Sequence, residues 1–197
     1  MPLGANKAAI MGVSGVETIG TTIALLSTQT ASNSATISFT SDITSKYREY
    51  IFKFYNINPA TNNSEFQFQG NASSQSGYNE TITSTVFAAK HRENDSSTSL
   101  DYQTGDDLAQ GTGYQFLCGN LLSDADSNLA GKLHLFNPSS TTYVTHFIAR
   151  TAYMATGPDA QDYFVAGYFN VTAAITNIQF KMDSGNFDGK IKMWGVP

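Results

Sequence analysis

Tyr47-Arg48-Glu49-Tyr50-Ile51-Phe52-Lys53-Phe54-Tyr55-Asn56-Ile57 decides the fold. In an extended chain Tyr50, Phe52 and Phe54 share one face, while Ile51, Lys53 and Tyr55 share the other. The same period-two alternation sets Phe66 and Phe68 against Gln67 and Gln69, and Leu133 and Leu135 against Lys132 and His134. It also sets Ile178, Phe180 and Met182 against Gln179 and Lys181. Segments 22–28, 35–40, 47–57, 65–70, 80–89, 115–119, 130–137, 142–154, 162–170, 175–183 and 189–194 all carry it or are rich in β-branched and aromatic residues. Between them lie turns built of Pro, Asn and Gly, such as Asn58-Pro59-Ala60-Thr61-Asn62-Asn63, Asn137-Pro138-Ser139-Ser140 and Gly157-Pro158-Asp159. Three predicted strands hand over at an aromatic followed by Asn: Tyr55-Asn56, Phe136-Asn137 and Phe169-Asn170. About ten short strands and no helical stripe predict an all-β protein, an antiparallel β-sandwich of jelly-roll type. Ser184-Gly185-Asn186-Phe187-Asp188-Gly189 reads as a hairpin joining the last two strands, and 91–129 as long loops at one end.

Composition narrows the function classes. Charged residues make up 14% of the 197-residue chain, against about 25% in ordinary domains. Neutral polar side chains take their place. A net charge of −5 argues against nucleic acid as a partner, because phosphate backbones are held by clustered Lys and Arg. No run of 18 apolar residues offers a membrane span. Cys118 is the single cysteine, so no internal disulfide is available and a small buried side chain is expected.

Residues 1–20 differ from the rest. They carry Ile10, Met11, Val13, Val16 and Ile19 among glycines, with Lys7 and Glu17 as their only charges. Too short for a core of their own, they read as a disordered tail, an ordinary first strand or an arm that docks on a neighbour. Apolar content without charge argues against the tail, and an extended arm is expected, with residues 21–197 as the sandwich. The first residues lack the basic stretch and long apolar core of a secretory signal, so synthesis in a cytoplasm is expected.

Each chemical motif lacks a part. Ser14, in Gly12-Val13-Ser14-Gly15, misses the nucleophile elbow by a residue. His134 and His146 fall on predicted neighbouring strands and face each other in one register, but a zinc site needs further ligands. Asp124-x-Asp126-x-Asn128 opens like a calcium loop, yet Leu129 stands where the sharp turn needs Gly. Asn71, Asn79, Asn94 and Asn170 head glycosylation triplets of the kind an Asn-, Ser- and Thr-rich chain produces by chance. The expectation is a protein that is not an enzyme, with no metal and no cofactor. Tyr78, Tyr102 and Tyr114, in the loop-rich middle, are the aromatics the core does not need, and they are the candidate ligand-facing residues.

The closing Ser184-Gly185-Asn186-Phe187-Asp188-Gly189-Lys190-Ile191-Lys192-Met193-Trp194-Gly195-Val196 resembles the last strand of a group of small virion proteins from tailed phages, many of them marine. Trp194 stands where that group more often has Tyr. The opening Leu3-Gly4-Ala5-Asn6-Lys7-Ala8-Ala9-Ile10-Met11-Gly12 and the inner Leu133-His134-Leu135-Phe136-Asn137-Pro138-Ser139-Ser140-Thr141-Thr142-Tyr143 are similar to it as well. The resemblance implies a β-sandwich in the virion, displayed in many copies as a capsid decoration or head fibre and anchored by the arm. It implies self-association, with a homotrimer favoured by analogy, and contact with major capsid or tail proteins. The alternative it leaves open is a tail fibre or receptor-binding protein that contacts host surface glycans. The motifs are structural, and no active-site residue is carried over from the group.

Overall fold

The structure, a computed structural model, describes residues 22–197; the predicted arm residues Ile10, Met11, Val13, Val16 and Ile19 lie outside them. Thirteen strands follow one another: β1 (Ala24–Ser34), β2 (Thr36–Phe39), β3 (Glu49–Pro59), β4 (Phe66–Ala72), β5 (Ile82–Arg92), β6 (Thr98–Tyr102) and β7 (Ala109–Gly111). Then come β8 (Gln115–Phe116), β9 (Leu129–Phe136), β10 (Thr145–Ala155), β11 (Asp159–Phe169), β12 (Ile175–Met182) and β13 (Phe187–Val196). A large sheet runs β1-β13-β3-β9-β10-β11-β5-β6, with β7 also on β5, and a small one runs β2-β12-β4-β8. All pairings are antiparallel. The protein is an all-β sandwich.

The alternating aromatics close the space between the sheets. Tyr50, Phe52 and Phe54 of β3 point inward and are fully buried, as are Phe66 and Phe68 of β4 and Phe180 of β12. Phe180 is the hub, with its ring centroid 5.3 to 6.3 Å from those of Phe39, Phe52, Phe54, Phe66 and Phe68. Edge-to-face contacts with Phe39 and Phe54, a stacked one with Phe66 and tilted ones with Phe52 and Phe68 add to the burial of each ring, itself worth about 1.5–3 kcal/mol.

Three predictions need correction. The link from β12 to β13 is not a hairpin: β12 lies in the small sheet and β13 in the large one, so Asp183–Asn186 carries the chain from one layer to the other. Phe187 opens the new strand and is buried against Phe66. Asn56 does not end its strand. It takes φ 50° inside β3, where the register against β9 shifts between Phe54 and Ile57, a left-handed conformation Asn tolerates at a bulge. Gly189 lies alongside at φ 136°, where a Cβ would come within 2.8 Å of the Asn56 carbonyl oxygen. Last, 91–129 is not loop throughout. β6 and β7 pair with β5, whereas β8, paired with β4, falls within the strand expected at 115–119.

The sandwich has two distinct ends. Ala24 pairs with Gly195, and Glu49 with both Val196 and Phe136, so β1 begins at the end that carries the chain terminus. The turns 93–97 and 156–158 and the loop 123–128 lie at the opposite end, next to Asp159, Ala155 and Leu129.

Candidate functional site

The outer face of the large sheet is the broadest surface on which side chains of many strands converge. Strict alternation on β10, buried at Phe147, Ala149, Thr151 and Tyr153, turns His146, Ile148, Arg150 and Ala152 outward. Register then sorts the outward residues into rows across the strands. One row runs Lys192, Lys53, Lys132, Arg150, Phe164, Phe87, Tyr102 over β13, β3, β9, β10, β11, β5 and β6, each residue directly opposite the next. Four cations on four adjacent strands meet three aromatic rings.

The two halves of this row behave differently. Arg150 is held on both sides: Nε donates to Asp162 Oδ1 at 2.9 Å, and the guanidinium carbon lies 4.7 Å from the centroid of the Phe164 ring. Phe164 stacks on Phe87 at 4.7 Å with a 7° interplanar angle, and the Tyr102 hydroxyl donates to Asp107 at 2.6 Å. The lysine half is loosely held. Lys53 Nζ lies 5.4 Å from the Trp194 ring centroid and Lys192 Nζ 5.6 Å from that of Tyr55, while Lys132 has neither carboxylate nor ring among the described residues. Beside the row runs a trough of about 740 Å³, floored by the small side chains of Ala89, Ala130, Ala152 and Ala160 together with Asp162, and walled by Lys53, Lys132 and Arg150. A second trough of about 550 Å³ flanks the row on its other side, around Ile148, Ala166 and Tyr168.

The three candidate tyrosines do not share a site. Tyr102 lies on the edge strand β6, half exposed, at the end of the row. Tyr114 is on the other side of the molecule, against the small sheet, where its hydroxyl donates to Gln179 Oε1 and Lys181 Nζ sits 4.5 Å from its ring centroid. Burial, and then the neighbouring Tyr78, push its hydroxyl pKa up. Tyr78 is tied to the same surface through its amide, which donates to Asn71 Oδ1 at 2.7 Å. Together they belong to a covering layer. Gln69 is fully buried on the outward side of β4, and its Nε2 donates to the carbonyls of Glu80 and Gly113, at 3.0 and 2.8 Å.

The remaining motifs find ordinary places. The histidines do not face each other: His134 is opposite Ile148 and His146 opposite Phe136, and His134 Nδ1 bonds Glu49 instead. Cys118 is fully buried, accepts from the Phe66 amide at 3.1 Å, and burial raises its thiol pKa. Asp124 and Asp126 lie exposed in a turn closed by Ser127 N to Asp124 O at 3.1 Å. Among the described residues no three His, Cys, Asp or Glu side chains converge as a metal-ligand set.

One polar cleft went unnoticed in the sequence. At the end of the sandwich that carries the turns, Glu65, Arg92, Asp106, Asp159 and Tyr163 line a cavity of about 440 Å³. Desolvation first, then Asp106 and Asp183, push the Glu65 carboxyl up to about 7. Asp106 accepts from the Tyr163 hydroxyl. Arg92 forks onto the buried Asp159 at 2.7 and 3.2 Å and holds it below the usual carboxylate range. A carboxyl whose pKa lies near neutral can donate a hydrogen bond or a proton. These residues are far apart in the chain, and no spacing announced them.

No family model and no curated protein matches this chain. Among solved structures it is similar to a legume lectin-like domain from Entamoeba histolytica, at 9% identity over 90% of this chain and 88% of that one, with TM-score 0.36. It is also similar to chains of infectious bursal disease virus, in the Gx strain and in the VP2 subviral particle. Both are 10% identical over 90% of this chain, with TM-score 0.17, and the alignments cover 41% and 42% of those longer chains. Likeness of this degree transfers neither a site nor a ligand.

Proposed function

We propose that this chain is a structural protein of a tailed-phage virion, a β-sandwich displayed on the particle as a decoration or head-fibre subunit and held there through residues 1–20. Support comes first from the resemblance at both ends and the middle of the sequence. The observation that carries the reading further is the polarity of the sandwich. β1 begins at the end opposite the turns 93–97 and 156–158, so a chain anchored ahead of Thr22 turns those loops away from its anchor. Copies associate with one another, as a trimer in this reading. The test is to compare the full chain with a chain lacking residues 1–20 for binding to purified particles stripped of this protein. The proposal expects the truncated form to stay folded and lose binding, with hundreds of copies per particle by quantitative mass spectrometry. Undiminished binding by the truncated form overturns the anchoring role, and absence from purified virions overturns the whole assignment.

A second reading, a tail fibre or receptor-binding protein that contacts host glycans, draws on the open row of cations and aromatics across the large sheet. A handful of copies per particle, placed at the tail, favours it over decoration.

A further inference from the structure

Like charges set directly opposite each other across neighbouring strands destabilise a sheet. Lys192, Lys53 and Lys132 nevertheless stand opposite one another on β13, β3 and β9, with Arg150 next on β10. The chain has 11 Lys and Arg in all and a net charge of −5, so it has ample acidic side chains with which to intersperse them. Only Arg150 meets a carboxylate. Lys53 and Lys192 have only distant ring contacts, at 5.4 and 5.6 Å, to offset the repulsion, and an external anion lying along the row relieves it.

We infer that the row Lys192-Lys53-Lys132-Arg150 and the trough beside it bind an anionic polysaccharide, a linear glycan bearing carboxylate or sulfate groups. Neighbouring strands are about 4.8 Å apart, so the four cations span about 14 Å. That is a ladder for several charges along an extended chain rather than a pocket for one ion. The trough supplies the rest of the site: about 740 Å³ lies within the usual range for a ligand cleft, roughly 300–1,000 Å³. Its alanines let a chain lie close to the sheet, with Lys53, Lys132 and Arg150 along one wall, and the one carboxylate in the lining, Asp162, is already engaged by Arg150.

The neighbouring rings favour a glycan over single-stranded nucleic acid. Base binding on a sheet needs free aromatic faces on which bases stack. Phe164, the ring next to the cations, has both faces occupied, one by Phe87 and the other by the Arg150 guanidinium, and the exposed rings Phe87 and Tyr102 lie farther along the row from the lysines. The rings brace Arg150, and the ligand meets cations and backbone.

This assignment extends the glycan-contact reading above and is tested without the particle, so its failure leaves the virion proposal standing. Calorimetric titration of the full chain would use oligogalacturonate as the carboxylate probe and dextran sulfate as the sulfate probe, with neutral dextran and oligo-dT as comparisons. Binding to at least one anionic glycan is expected, weakened by salt and absent with neutral dextran. Lys53→Gln and Lys132→Gln are each expected to weaken it roughly tenfold, the scale of one charge-assisted hydrogen bond. Ala152→Tyr, which fills the trough at an exposed strand position and leaves every cation in place, is expected to cost at least as much. Lys181→Gln, on the small sheet, is expected to change nothing, and thermal melts confirm that each variant is folded. Binding to neither anionic probe overturns the inference. So does indifference to Ala152→Tyr, which would mean attraction by charge alone, or oligo-dT binding as tight as the glycans. A change in sedimented mass on neutralising the lysines would make the row a contact between copies of this chain and would equally overturn it.

Discussion

The two sheets bury their inner faces alike, but their outer faces are opposites. The outward side of β4 is roofed: Gln67, Gln69 and Asn71 are buried, and all seven residues of the strand are out of solvent. The outward side of β10 is bare, with His146, Ile148, Arg150 and Ala152 exposed. The roof is the chain itself, residues 73–81 and 112–114, tied down by Gln69, Asn71 and Tyr114. A four-stranded sheet without helices to cover it has been closed by loops whose polar backbone is satisfied by buried amide side chains. The larger sheet had the same loops within reach, through β6 and β7 on its edge, and was left open. That uncovered face carries the opposed cations, and on it rests the proposal of an anionic ligand.

Breaking the roof should give the largest effect. Gln69→Leu leaves the Glu80 and Gly113 carbonyls without their donor, and the expected loss is roughly 3 kcal/mol in urea unfolding. Faster hydrogen exchange confined to residues 73–81 and 112–114 would show that the covering layer, and not the core, had loosened. A loss near zero would mean that the loops hold themselves.

The cleft where the two layers meet, at the end bearing the turns, should respond to pH. Glu65 keeps its proton up to about 7 in the fold, whereas an unfolded Glu loses it near 4.3. Over that interval the folded state binds more protons, so its stability is full below about 4.3 and falls as pH rises through about 7. Glu65→Gln is expected to remove this slope and raise the melting temperature at pH 8. A slope unchanged by the substitution would place the effect elsewhere.

The open face should give the smallest effect, and of opposite sign. Lys132→Glu replaces repulsion with attraction toward Lys53 and Arg150 on either side and is expected to stabilise the protein by about 0.5 kcal/mol. The same change should abolish binding of an anionic glycan. Destabilisation instead would mean that the lysine row serves the fold, and the contrast between the two faces would lose its functional meaning.

Much of the inner architecture was legible in advance. Alternation in 47–57, 65–70, 130–137 and 175–183 predicted both the strands and the buried faces of Phe52, Phe68, Leu133 and Phe180, because a strand with one wet side must alternate. Two short edge strands escaped. β6 and β7 are edge strands of five and three residues, mostly polar and exposed, and they are strands only because β5 offers them a partner. Asp183–Asn186 has the composition of a hairpin turn, and nothing local distinguishes a turn within a sheet from one that crosses between sheets. The tyrosines were judged by where they fell in the chain, which does not say that Tyr114 would be pinned to Gln179 while Tyr102 ended a row on the opposite surface.

By itself the sequence determined that this protein is all-β, which side chains make its core, and that Cys118 is part of the packing. Those follow from period-two alternation and burial, properties each strand carries within itself. Only the tertiary structure decided which strands are neighbours. Lysines 53, 132 and 192 are unremarkable one at a time, and pairing register alone set them opposite one another beside a trough. Register is a relation between distant segments, chosen by how the inner aromatics pack, and the outward residues are carried along with it.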